Sequence, residues 1–122
     1  MTDWTPAELD RLTRNDELRI AGRREDDSLR KLVIIWMVTL DGALYVRSVN
    51  GPDAAWFRGT QTKELGRITS GGVEKDVSFT RVTDLDDELD VVYLEKYRSY
   101  PSAAASITSA LARTTTLRVD PV

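Results

Sequence analysis

The chain has no cysteine and no histidine among its 122 residues. Without cysteine there is no disulfide, no thiol nucleophile and no thiolate metal site. Without histidine there is no Ser-His-Asp triad and no histidine-ligated haem, and the side chain most used for proton transfer near neutral pH is missing. Chemistry therefore falls to carboxylates, Lys, Tyr, Arg, backbone amides or a bound cofactor. No loop has the oxygen-ligand spacing of a carboxylate metal site. Long apolar runs are missing too: the longest, Leu32 to Val38, is strand-sized and far short of the roughly 18 residues of a membrane span. Nor is there an excess of positive charge. The net charge is -3, which gives no overall attraction to nucleic acid or an anionic membrane. Arg23-Arg24 and Arg30-Lys31 sit among Glu25, Asp26 and Asp27 and cancel locally. The N-terminal Met-Thr-Asp-Trp-Thr-Pro lacks the basic region and apolar core of a secretory signal, so a cytoplasmic location is the default expectation.

What is present is ordinary for a soluble globular protein: 41% hydrophobic and 30% charged residues. The length fits one domain, residues 1–122, able to bury its own core. Thr5-Pro6-Ala7-Glu8 reads as a helix start with a capping box, and Trp4 is placed to staple it. That short helix is expected to end near Asn15. Glu17 to Ala21 alternates polar and apolar, as a half-buried strand does. Leu32 to Val38 is apolar at both parities, which predicts a strand covered on both faces. Asp41-Gly42 is a hairpin turn that leads into an antiparallel strand, Ala43 to Val49. A short helix is expected over Pro52 to Arg58. Strands follow at Glu64 to Ser70 and Val73 to Val82, joined by the Gly71-Gly72 turn. In the second of these Val73, Val77 and Phe79 share one face. Asp84 to Tyr97 is the clearest helix; its acidic start suits the positive end of the dipole and gives an exposed charged face. Pro101 opens a further helix, Ser102 to Ala112, with Ile107 and Leu111 on one side. Thr114 to Val119 is expected to return to the sheet. Six short strands, antiparallel hairpins and intervening helices argue an α+β domain around a barrel-like sheet; an open sheet with helices on one face competes with it.

The segment Asp41 to Arg58 concentrates the chemistry. Arg47 and Ser48 would act as an anion clamp, with backbone amides from the Asn50-Gly51-Pro52 turn beside them. The plainer reading of Arg47 is an arginine on the solvent face, paired with a carboxylate of the next strand. Tyr45 and Trp56 would wall a flat-ring pocket, with Trp36 read mainly as core. Arg58 and Arg67 would complete a basic pocket or else be separately solvated. Glu74 and Asp76 share a strand face, read as solvated or as partners of Arg67.

Ile35-Trp36, Tyr45-Val-Arg-Ser48, Asn50-Gly51, Trp56-Phe57-Arg58, Gly66-Arg67-Ile68, Gly71-Gly72-Val73-Glu74, Asp76-Val77 and Thr116-Leu117-Arg118 together resemble the bacterial domain family DUF2255, over nearly the whole chain. That family is similar to split β-barrel proteins that bind FMN or the deazaflavin F420, such as pyridoxamine-phosphate-oxidase-like proteins and deazaflavin-dependent nitroreductases. The resemblance implies a six-stranded split barrel with flanking helices and a cofactor site beside the barrel, often at a homodimer interface. On that reading FMN or F420 is the cofactor of an oxidoreductase. Arg47, Ser48, Asn50 and Gly51 hold its phosphate, Tyr45 and Trp56 line the ring, and Arg58 and Arg67 assist. The alternative, from another class, is a non-enzymatic domain of the same fold that binds a small acidic ligand or only a second copy of itself. Nucleic acid and membrane are not expected as partners.

Overall fold

The computed structural model describes residues 3–122; Met1 and Thr2 of the N-terminal stretch lie outside the described residues. Helix α1 (Pro6–Arg14) begins on the expected capping box. The Glu8 amide donates to Thr5 Oγ1 at 3.1 Å and the Thr5 amide to Glu8 Oε1 at 2.9 Å. Trp4 is buried and its indole N–H donates to the Val119 carbonyl at 2.9 Å, which fixes the start of α1 to the sheet.

The sheet holds strands β1 (Leu18–Gly22), β2 (Val33–Ile35), β3 (Met37–Leu40), β4 (Ala43–Val46), β5 (Leu65–Ser70), β6 (Val73–Arg81) and β7 (Leu117–Pro121). Every pairing is antiparallel and the order is β2-β1-β5-β6-β7-β4-β3. The expected single strand over Leu32 to Val38 is thus two strands, and the sheet has seven rather than six. The reason is visible in the order. β2 and β3 lie at opposite ends of the sheet, yet only Trp36 separates them in the chain. One run serves both edges: its first part pairs with β1, it bends at Trp36, and its second part pairs with β4. The two ends of the sheet are brought together into a nearly closed barrel, which leaves little exposed edge. This rules out the open-sheet arrangement.

Both hairpins form at the expected turns. Asp41 and Gly42 take φ of 50° and 83°, and Gly71 and Gly72 take 56° and 84°. Positive φ at both central positions is what a tight two-residue hairpin requires.

Apolar side chains at both parities of β3 and β4 face two different cores. Met37, Leu44 and Val46 point into the barrel with Leu12, Ile20, Phe57, Ile68, Val77, Phe79, Leu117 and Val119. Val38 and Tyr45 point outward, under α3 (Asp86–Lys96) and α4 (Pro101–Ile107), where Leu89, Tyr93, Tyr97, Ala104 and Ile107 cover them.

Several boundaries differ from expectation. The strand expected over Ala43 to Val49 ends at Val46, so Arg47 and Ser48 lie beyond it. The helix expected over Pro52 to Arg58 is a 3-10 turn, Gly51–Asp53, followed by α2 (Ala55–Gln61). The helix expected over Ser102 to Ala112 is broken. Thr108 Oγ1 donates to the Ala104 carbonyl at 2.8 Å where α4 ends, and Ser109 caps α5 (Ala110–Arg113) through the Ala112 amide at 3.2 Å. Ile107 is therefore buried whereas Leu111 stays exposed. The last strand starts at Leu117 rather than Thr114, because Thr115 and Thr116 spend their hydroxyls on turn carbonyls: Thr115 on Ala112 at 2.6 Å, Thr116 on Arg113 at 3.1 Å. No helix among the described residues is long and apolar enough to cross a membrane.

Candidate functional site

Arg47 follows the end of β4 and is 1% exposed. Its Nε donates to Thr116 Oγ1 at 3.0 Å, and Nη1 to Asp90 Oδ1 and to the Ile107 carbonyl at 3.2 Å. Nη2 donates to the Asp86 carbonyl at 3.2 Å and lies 3.5 Å from Asp86 Oδ1. The guanidinium also sits over the Tyr93 ring, 5.4 Å from its centroid. Arg113 extends the network to Asp87 and to Asp90 Oδ2 at 3.2 Å. All three guanidinium nitrogens of Arg47 are occupied by the protein itself, so in this conformation it offers no donor to an anion. The acidic start of α3 has a purpose that helix electrostatics alone did not reveal: Asp86 and Asp90 neutralise a charge that burial would otherwise make very costly.

The neighbours of Arg47 are inward-facing as well. Ser48 is buried, and its amide donates to Thr115 Oγ1 at 2.8 Å. Asn50 is exposed at the tip of the following turn. The Gly51 amide donates back to the Ser48 carbonyl at 3.0 Å. Gly51 has φ of 78°, and a Cβ there would lie 2.5 Å from Leu111 Cγ, so the turn is packed beneath α5. Tyr45 lies in the outer core and burial pushes its phenol pKa up, against the pull of Arg118. Trp56 is half-buried, edge-on to Phe57 with centroids 6.0 Å apart. Arg58 is exposed on α2. Arg67 pairs across the β5–β6 hairpin with Asp76, its directly opposite residue, through a 2.9 Å bond. Arg23 joins the same carboxylate at 3.2 Å. That ion pairing holds the Asp76 carboxyl below its ordinary pKa and the Arg67 guanidinium above its own. Arg47, Arg58 and Arg67 therefore occupy three separate settings, and none of the eight expected site residues lines a groove described below.

A broad concavity of about 850 Å³ lies where β2 turns into β3, between the β5–β6 turn and the start of α4. Its size is that of a small-molecule site. Trp36, Tyr97 and Tyr100 supply aromatic surface, and Trp36 and Tyr97 lie with ring centroids 6.0 Å apart at 42°. Ile34 and Tyr100 are more than half exposed at its rim. The bend that lets one run close the barrel is what turns the Trp36 ring towards this groove. Tyr97 is anchored: its hydroxyl receives the Met37 amide at 3.1 Å and lies 2.7 Å from the Asp16 carbonyl and 2.8 Å from the Met37 carbonyl. Burial raises its pKa well above the ordinary tyrosine value. The polar lining includes Arg19, Thr69, Ser70, the Gly71-Gly72 turn and three carboxylates, Asp16, Glu17 and Glu74. Ser70 Oγ is already bonded to the Glu17 carbonyl at 2.7 Å. The groove can stack a flat ring and hydrogen-bond its edge. One cation against three carboxylates makes it a poor place for a phosphate.

Sequence reasoning reached Trp36 but read it mainly as core, and it missed Arg19, Tyr97 and Tyr100. One signal was available for Tyr100: it immediately precedes Pro101, where a helix cannot run on and an aromatic ring can be left facing outward.

The rolled antiparallel sheet, one bent run shared by both edges and helices packed across the outer face make this a split β-barrel. The chain belongs to DUF2255, a family of uncharacterized proteins conserved in bacteria, whose model matches residues 8–119. Solved structures share the fold at low identity. The heme storage protein HutZ of Vibrio cholerae has a TM-score of 0.66 and 11% identity over 96% of this chain and 89% of its own. An F420-H2 dependent reductase has a TM-score of 0.61 and 11% identity over 87% of this chain and 94% of its own. A FAD-binding protein of Mesorhizobium loti has a TM-score of 0.51 and 18% identity over 97% of this chain and 88% of its own. No curated protein matches the chain.

Proposed function

We propose that this protein binds a flat-ring cofactor of the flavin or deazaflavin type, FMN or F420, by stacking it in the aromatic groove, and works as an oxidoreductase through it. The observation that carries the proposal is the aromatic wall of a groove of about 850 Å³, in which Trp36 is half-buried, Tyr100 is exposed and Tyr97 is buried beside Trp36. The cofactor would supply the electron chemistry that a chain without cysteine or histidine cannot. Asp16, Glu17 and Glu74 favour a pose in which the ring enters and any anionic tail points to solvent. Arg47 and Ser48, the expected phosphate clamp, would then serve the cofactor only indirectly, by holding α3 and its Tyr97 end against the barrel. Similarity to proteins named for F420 and FAD supports this class of ligand without choosing within it. Haem fits less well, since no histidine is available to ligate it.

A second reading, binding or subunit pairing without turnover, has its own support. The Tyr97 hydroxyl is tied to backbone carbonyls and its pKa is raised, so the groove has no ready proton donor at that position. The exposed Ile34 and Tyr100 would suit a homodimer contact at the rim.

Titration of the purified protein with riboflavin, FMN, F420 and haem, followed by tryptophan fluorescence and absorption, tests the proposal. Riboflavin is expected to bind at least as tightly as FMN, because the phosphate meets no cationic pocket. Failure of all flavins and F420 to bind refutes the ring-site reading. Binding without reduction of any acceptor leaves the second.

A further inference from the structure

Lys96 is the last residue of α3 and is half-buried. Its Nζ donates to the Met37 carbonyl at 2.9 Å and lies 5.4 Å from the centroid of the Tyr97 ring. It lines a second groove, of about 500 Å³, between the end of α3, α1 and β3. This groove shares no lining residue with the aromatic one. Thr13 and Thr39 bring two hydroxyls into it, with their Oγ1 atoms 2.7 Å apart, and the exposed Val91 forms part of its wall.

An ammonium has three donors to satisfy. Among the described residues Lys96 has one hydrogen-bond acceptor, a backbone carbonyl with no full charge. Burial therefore lowers its pKa to about 8, with Asp16 opposing only in part. The other charged or titratable groups around it are Glu95 and Arg98, which line the groove and bond each other at 2.7 Å, and Tyr97; α1 and β3 contribute threonines. At pH 7 about a tenth of such amines are neutral, against well under a thousandth for a solvated lysine.

We propose that Lys96 is a carbonyl-capturing amine, and that a small aldehyde or α-keto acid entering this groove forms an imine with its Nζ. The neutral nitrogen attacks the carbonyl carbon, and the π pair moves to oxygen, which takes up a proton to give a carbinolamine. Loss of that hydroxyl as water, with the remaining amine proton, leaves the C=N bond. One water is formed and nothing is oxidised or reduced. A neutral amine keeps two N–H groups, so one can stay on the Met37 carbonyl while the lone pair is free. The Thr13, Thr39 and Ser99 hydroxyls are the neutral side-chain hydrogen-bonding groups in the groove for the departing oxygen. A lysine that merely caps Met37 would have the opposite behaviour, being shielded and slower than its solvated counterparts.

The test is reductive labelling of the whole protein with glyoxylate and cyanoborohydride at pH 7, read by peptide mass spectrometry. Lys31, Lys63 and Lys75 in the same chain are the references. Lys96 is expected to label at least tenfold faster than Lys31, with a rate that levels off above about pH 8. Labelling of Lys96 at or below the rate of Lys31 overturns the proposal. Val91→Trp, a surface change that narrows the groove, should slow Lys96 at least fivefold and leave Lys31 unchanged. An unchanged Lys96 rate in that variant overturns the groove as the route of approach.

Discussion

Two polar regions of this molecule contrast sharply, although both combine charge with tyrosine. Around Arg47, every guanidinium nitrogen has a partner, the side chain is sealed from solvent, and the partners come from three elements: α3, the end of α4 and the turn before β7. Around Trp36, Tyr97 is anchored and buried while Trp36 and Tyr100 are open to a groove, and charged side chains of both signs line the opening. The first region is closed and every guanidinium nitrogen of Arg47 is matched, while the buried Ser48 Oγ beside it is left without a partner among the described residues; the second leaves unmatched surface facing a cavity. Residue chemistry alone does not separate the two, because an arginine beside a serine and a glycine turn reads equally well as clamp or keystone. What separates them is whether the donors are already used.

The largest effect should come from breaking the closed region. Arg47→Ala strands Asp90 and Asp86 at the base of α3 and is expected to cost about 3 kcal/mol or more, as loss of one partner from a buried charge cluster does. The urea midpoint measures it. Arg47→Lys should recover only part, since an ammonium cannot supply the planar fork that reaches Thr116, Asp90 and the Asp86 carbonyl together. At a temperature where the variant is still folded, affinity for a stacked ring should be retained. A selective loss of affinity with unchanged stability would return Arg47 to the binding site.

The open region should respond in reverse. Trp36→Ala is expected to weaken ring binding by about 1 kcal/mol or more, roughly fivefold, on the scale of one aromatic contact. Fluorescence titration reads the loss. Trp36 is half-buried and its side chain is not in the barrel interior, so the midpoint of unfolding should fall by less than in Arg47→Ala. Equal affinity in wild type and variant would remove the groove from consideration.

How much of this was legible in the sequence follows from range. The capping box at Thr5, both glycine-bearing turns and the alternation of Val73, Val77 and Phe79 are local, and each stands where it was expected. The double-sided apolar run at Leu32 to Val38 announced two covered faces, which holds for Met37 and Val38 in β3 but not for β2, where Ile34 is more than half exposed. It could not announce that Trp36 divides the run between opposite edges of the sheet, because that depends on pairing with β1 and β4, which are remote from each other in the sheet order. Arg47 was singled out for good reason, as a cation beside a turn. Its partners Asp86, Asp90 and Thr116 lie 39, 43 and 69 residues away along the chain, beyond the reach of any spacing rule. The groove is harder still. It is assembled from the segment before β1, the β2–β3 bend, a hairpin turn and the α3–α4 junction, none of which carries a motif.

The smallest effect concerns Arg67, an arginine that belongs to neither region and so calibrates both. Its bond to Asp76 lies on the exposed face of the β5–β6 hairpin, with Arg23 as a second partner. The Asp76 carboxyl is held below its ordinary pKa, first by the Arg67 hydrogen bond and then by charge. A carboxyl depressed in the folded state binds fewer protons there than in the unfolded chain. Its contribution is therefore present above the unfolded aspartate pKa, near 4, and is lost as pH falls through the lower folded value. Arg67→Gln should flatten that acid-side decline while moving the neutral-pH midpoint little, because solvent screens the pair. Urea titrations at pH 3 and pH 7 measure both. A loss at neutral pH rivalling that of Arg47→Ala would mean that exposure, which divides the closed charge cluster from the surface pairs here, does not set what an arginine contributes to this fold.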